Sequence, residues 1–161
     1  MPKTVLLLRL ASLVALIEFL GHTAMFVSYV PSHGPAEVAV VDAMKSHTFS
    51  FGGSPHTYWE LYFGYGLFVS VGCFTEAVLL WMTATIAKTN PAQVKPMVAM
   101  FALSEIAFAL LIRRYFFTLP LIAHLTAAAC LIAAYLSSIR PECPGTPLVS
   151  FQSAFSQGDR P

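Results

Sequence analysis

What this chain has least of is charge: only 11% of its 161 residues are Asp, Glu, Lys or Arg, where a water-soluble domain carries roughly a quarter. With 57% hydrophobic residues and a mean hydropathy of +0.68, an ordinary soluble surface is excluded and lipid is the solvent the composition implies. The formal charge of +1 gives no field to attract a polyanion, so nucleic acid is excluded as a partner. Cysteine is nearly absent as well. Cys73, Cys130 and Cys143 have none of the spacings of a zinc site or a disulfide framework, and the first two lie in apolar runs where a thiol serves as a small apolar side chain. A short signal-peptide core is also missing. The apolar run from Val5 to Val30 is too long for one and holds Glu18 and His22, so it reads as a retained first helix.

Crossing a hydrocarbon core of about 30 Å takes about 20 apolar residues in a helix, and four stretches qualify, at about 5–30, 58–87, 96–112 and 115–136. The expected fold is therefore all-α: a four-transmembrane-helix bundle over 1–139, with a longer external loop between helices one and two. Tyr58, Trp59 and Trp81 stand where interfacial aromatic anchors belong. Arg113 and Arg114 split the last apolar region into two helices, because a single span of about 40 residues with two central arginines is costly in lipid. Lys3, Arg9, Lys88, Lys95, Arg140 and Arg160 fall on one side and Lys45, Arg113 and Arg114 on the other, which places both termini in the cytoplasm. In the 31–57 loop, the segment 36–44 has the pattern of a short interfacial helix. The tail at 140–161 is rich in Pro, Ser, Gln and Gly and reads as disordered.

Ionisable residues within such helices cost about 2.5–3.5 kcal/mol each at mid-membrane, so each calls for a reason. There are five: Glu18 and His22 in helix one, Glu76 in helix two, Glu105 in helix three and His124 in helix four. Counting about 1.5 Å per residue puts His22, Glu105 and His124 roughly 12–14 Å below the outer surface, Glu18 one turn deeper and Glu76 deeper again at roughly 20–27 Å. Glu18 and His22, four apart, share a face with Ala11 and Ala15. His124 shares one with Ala127, Ala128 and Leu131, and Glu76 one with Val69, Gly72 and Cys73. Glu18, His22, Glu105 and His124 are thus expected to meet in the outer half of the bundle.

Three readings of that cluster follow. The Glu and His groups can satisfy one another as structural glue. They can relay protons or bind a small or lipid-like ligand, in a site drawn from Glu18, His22, Tyr62, Glu76, Glu105, Arg113, Arg114 and His124. As a membrane-embedded isomerase or oxidoreductase, the chain would use Glu18 or Glu105 as acid and His22 or His124 as base. Two histidines and three carboxylates also match the ligand types of a metal site, and His22 with His124 could grip a haem, but the Glu-x-x-His spacing of di-iron bundles is absent; no metal ligand and no cofactor is assigned. A transporter would need a homo-oligomer, four helices being few for a two-sided path. Arg113 and Arg114 read first as a helix-end anchor snorkelling to lipid phosphates. His33, His47 and His56 read as solvated loop residues.

The string from His56 to Leu67 is an aromatic collar followed by Gly64 and Gly66, which admit a neighbouring helix or a flat ligand close to the backbone. With Gly21-His22-Thr23 and Tyr115-Phe116-Phe117-Thr118-Leu119-Pro120, it resembles small bacterial four-helix membrane proteins, broadly DoxX-like in size and helix count, over about residues 5–136. The resemblance implies a bacterial inner-membrane location and carries no catalytic residue. The Glu18/His22 pair is also similar in kind to the buried acid and histidine pairs of sterol-isomerase-like membrane proteins, as an analogy of site chemistry alone.

Overall fold

The computed structural model describes residues 2–138; the tail at 140–161, with Cys143, Arg140 and Arg160, lies outside the described residues. The described chain is mostly helical: α1 (Lys3–Val27), α2 (Pro35–Ser46), α3 (Tyr58–Ile86), α4 (Lys95–Tyr115) and α5 (Thr118–Ser137), with strands β1 (Thr48–Phe51) and β2 (Ser54–Thr57) between α2 and α3. Four helices, α1, α3, α4 and α5, are long and apolar enough to cross a membrane.

Local chemistry explains where they start and stop. α3 opens on a capping box, in which Glu60 N–H donates to Thr57 Oγ1 at 3.1 Å and Thr57 N–H to Glu60 Oε2 at 2.8 Å. Two orphan amides are thereby satisfied. The cap is what occupies the Glu60 carboxylate. α1 ends at Val27, three residues before the sequence limit of 30, because Ser28 turns its hydroxyl and amide back onto the Ala24 carbonyl. α4 runs to Tyr115 instead of stopping at 112. Arg113 and Arg114 therefore occupy its last turn, where cations complement the helix dipole, and the hairpin turns at Phe116-Phe117. α5 accordingly starts at Thr118, with Pro120 in a first turn that needs no amide donor from it.

The expected loop helix is present as α2, longer than 36–44, with Pro35 at its first position. The β-hairpin corrects the all-α expectation. Phe51 and Ser54 pair across Gly52 and Gly53, whose φ values of 59° and 85° fit the two-residue turn that joins right-twisted strands.

α1 packs against both α3 and α5, and α4 packs against α5; α3 and α4 stand farther apart. The end that carries α2 and the hairpin is called the loop end, and the other the terminal end. Toward the terminal end lies a dry apolar core of Val5, Leu8, Leu80, Ala84, Val98 and Leu131. On α5 the small residues Ala127, Ala128 and Ala134 are buried, and on α3 Gly66, Ser70, Ala77 and Ala84, which lets the backbones approach. Gly72 and Val69, expected to line an α3 contact, face outward instead.

Candidate functional site

Near the middle of the bundle the imidazole of His124, on α5, is held between two carboxylates from two other helices. Nδ1 lies 2.7 Å from Oε2 of Glu105 on α4, and Nε2 lies 3.1 Å from Oε1 of Glu18 on α1. Glu105 is 2% exposed and His124 8%. Each of these two contacts needs a proton, carried either by the ring nitrogen or by the carboxyl oxygen. Phe108 covers the ring, its centroid 5.4 Å away.

A third carboxyl joins them. Glu76, on α3, lies close to Glu105, His124 and Glu18, and its Oε1 is buried with no partner. Two carboxyl groups meet favourably only with a proton between them. The cluster thus draws one group from each long helix, and Cys73 lies close to all three glutamates.

This grouping corrects the expectation drawn from depth. Glu76, a candidate for the wider site but expected deeper than the four residues that meet, is in the cluster, whereas His22 was expected in it and is not. Glu76 and Glu105 each stand ten residues from the terminal-end limits of their helices, Ile86 and Lys95. Depth counted from Tyr58 failed because α3, with 29 residues, is longer than a single span requires. His22 instead pairs through Nδ1 with Ser70 Oγ at 3.1 Å and stacks on Phe26, centroids 5.4 Å apart and planes 14° from parallel.

The remaining expected residues lie elsewhere. Tyr62 belongs to an aromatic group at the loop end, with Phe26 at 5.1 Å and Trp59 at 5.7 Å. Arg113 and Arg114 are exposed, Arg114 over the Tyr115 ring at 5.2 Å. In the loop, His56 sits 3.6 Å from Glu60 and His47 stacks on Tyr58. His33 contacts Glu37 at 3.2 Å, and that carboxylate also accepts from Tyr29 Oη at 2.7 Å and from the Ser32 and His33 amides at 2.7 and 2.6 Å. These donors, the Tyr29 hydroxyl foremost, pull the Glu37 carboxyl down to about 2, and the same hydrogen bond pushes the Tyr29 phenol up.

Ser70, Phe26 and Phe108 were not singled out from the sequence. A signal for Ser70 was there, since it forms a small-xxx-small pair with Gly66, and Phe26 fills the space that a side chain at 66 would occupy.

The donor set does not suit a haem or metal. Both nitrogens of His124 are committed to carboxylates, and His22, one turn nearer the loop end, is bonded to Ser70. Among the described residues no group of three or more His, Cys, Asp or Glu is arranged to hold a metal ion. Two shallow grooves lie on the flanks of α4, one lined by Met97, Met100, Phe101 and Ser104 and the other by Leu103, Ile106, Ile132 and Tyr135; neither borders the cluster. Comparison with family models, characterised proteins and solved structures finds no match.

Proposed function

We propose that this chain is an integral membrane protein whose Glu18–His124–Glu105–Glu76 cluster takes up and releases protons within the bilayer. The four long helices span the membrane, the loop end faces outward and both termini lie in the cytoplasm. The resemblance to DoxX-like bacterial proteins supports placing it in an inner membrane, with lipid as its immediate partner. The observation that carries the reading is the histidine bonded at both nitrogens, joined by a third carboxyl with a buried, unpartnered oxygen.

Charge counting leads from that geometry to protons. Three carboxyls and one imidazole are electrically neutral together only with three dissociable protons among four groups, and low-dielectric surroundings strongly favour neutrality. Several placements of those protons satisfy the same contacts, which is the property of an exchange site. Structural glue needs only a matched pair; the third carboxyl exceeds it. The two grooves beside α4 lie away from these groups, which favours proton exchange over an isomerase or oxidoreductase acting on a lipid.

The test uses dicyclohexylcarbodiimide, an apolar reagent that adds to protonated carboxyls in apolar surroundings, with adducts located by peptide mass spectrometry. Labelling at Glu18, Glu76 or Glu105 is expected to vary with pH, and His124→Gln to displace that dependence. Labelling indifferent to pH would reduce the cluster to a polar spacer.

A further inference from the structure

The two sides of the cluster differ in what they offer a proton. Toward the terminal end, Leu8, Leu80, Ala84, Val98, Leu131 and Ala134 close the bundle, none more than 1% exposed. The buried hydroxyls on that side are engaged, Ser12 Oγ donating to Ala77 O at 2.6 Å and Thr83 Oγ1 to Leu79 O at 2.8 Å, with Thr4 Oγ1 3.4 Å from Ser138 Oγ. That half is an apolar plug. Arg9, whose Nε is buried there without a partner, lies over the Trp81 ring at 4.5 Å, and a guanidinium has no acceptor with which to take up a proton.

Toward the loop end the pattern reverses. One turn beyond Glu18, on the same face of α1, stands His22, bonded to Ser70 Oγ. Ser70 in turn donates to the Gly66 carbonyl at 3.3 Å, and the neighbouring Thr23 Oγ1 is buried with no partner. Over His22 lies Phe26, stacked on the imidazole and seated where any side chain at position 66 would collide with its ring. Tyr62 and Phe63 pack against Phe26 in turn. The titratable groups along this route are Glu18 on α1, Cys73 and Glu76 on α3, Glu105 on α4 and His124 on α5, with Tyr62 beyond Phe26.

We propose that protons reach the cluster from the loop end alone, handed on by His22, with Phe26 on its Gly66 seat as the gate. This rests on the proton-exchange reading above and deepens it. A site open to one side reports the proton concentration of that side; it does not conduct. The imidazole suits the handover because it can accept a proton at one nitrogen while releasing one at the other. Glycine at 66 is required by the gate, since the ring can rest against α3 only where there is no Cβ.

The experiment compares the two faces directly. Spheroplasts and everted vesicles from one bacterial expression host present opposite ends of the protein to the medium, and an impermeant maleimide on a Ser50→Cys variant identifies which end is outside. After a jump in medium pH, brief pulses of dicyclohexylcarbodiimide sample the cluster carboxyls. Labelling is expected to respond promptly only where the loop end meets the medium. His22→Phe should slow that response by about a hundredfold, the lower range of what a positioned proton-transfer group contributes. His22→Asn, which keeps a polar partner for Ser70, should slow it likewise and guards against a folding defect. Gly66→Ala, which unseats Phe26, should make it faster; an unchanged or slower response would remove Phe26 as the gate. Equal responses from both ends, a response from the terminal end, or undiminished speed in both His22 variants would overturn one-sided access. No pH response in either preparation would overturn the proton-exchange reading itself.

Discussion

Two of the places where histidine meets carboxylate in this protein, one in the loop and one in the bundle, differ in what else is present. In the loop, His33 lies 3.2 Å from Glu37, but that carboxylate also receives a tyrosine hydroxyl and two backbone amides, and His33 is 83% exposed. In the bundle, the His124 ring is the donor shared by Glu18 and Glu105, with an apolar interior around it. Where water and amides are at hand the imidazole is dispensable. Where they are not, it holds two helices to a third. The same residue types thus make a local latch in one setting and a structural and protonic centre in the other.

The comparison breaks most visibly at the histidines themselves. His124→Ala leaves Glu18 and Glu105 facing each other without their shared donor, and should cost about 3–5 kcal/mol, as for a buried pair that loses one partner. His33→Ala should stay within about 0.5 kcal/mol, the range of an exposed substitution. Denaturant unfolding in detergent micelles measures both, and similar losses would abolish the distinction. Glu105→Gln comes next. It keeps the shape of the side chain while discarding the charge, and should lose about 1–3 kcal/mol. A double-mutant cycle with His124→Gln should then show that most of this loss is shared between the two positions.

The smallest effect is local and lies in the loop. The Glu37 carboxyl is held at about 2 against an ordinary 4.5. A lowered value in the folded state means that its contribution is complete above 4.5 and fades as pH falls toward 2. Acidification through that window should therefore free Tyr29 from α2 and alter the fluorescence of Trp59, whose ring lies 6.0 Å from that of Tyr29. The unfolding midpoint of the bundle should not follow Glu37, and Glu37→Gln should flatten the fluorescence change. A midpoint that tracks Glu37 would show that latch and bundle are one cooperative unit.

The four long helices were legible because apolar runs of that length have few alternatives, and the loop helix because of its alternating face. Their ends were harder to place. Pro31 looked like the stop for α1, yet Ser28 ends it sooner by bonding back to Ala24. The arginine pair looked like a turn, yet a helix C-terminus accommodates cations well. The hairpin was signalled by Gly52-Gly53 and passed over because the strands beside it, each of four residues, are too short to show an alternation. For the site, all the residue types were readable and their partners were not. Depth along a helix can be counted, but whether Glu76 or His22 turns toward His124 depends on how far α3 slides past its neighbours, and sequence spacing carries no record of that.

The length of α3 has one more consequence. Its 29 residues exceed the 20 of α5 by nine, about 13 Å of rise, so no flat bilayer matches both helices at once. A thick, long-chain membrane would draw the aromatic turns at Tyr58 and Tyr62 down among the headgroups, and the hairpin with them. A thin one would leave α3 standing proud of the surface or force it to lean. With the four long helices spanning a bilayer as proposed, the height at which this protein carries its loop would be set in part by the lipids around it, and changing acyl-chain length in a reconstituted bilayer should raise or lower that loop without touching a single residue.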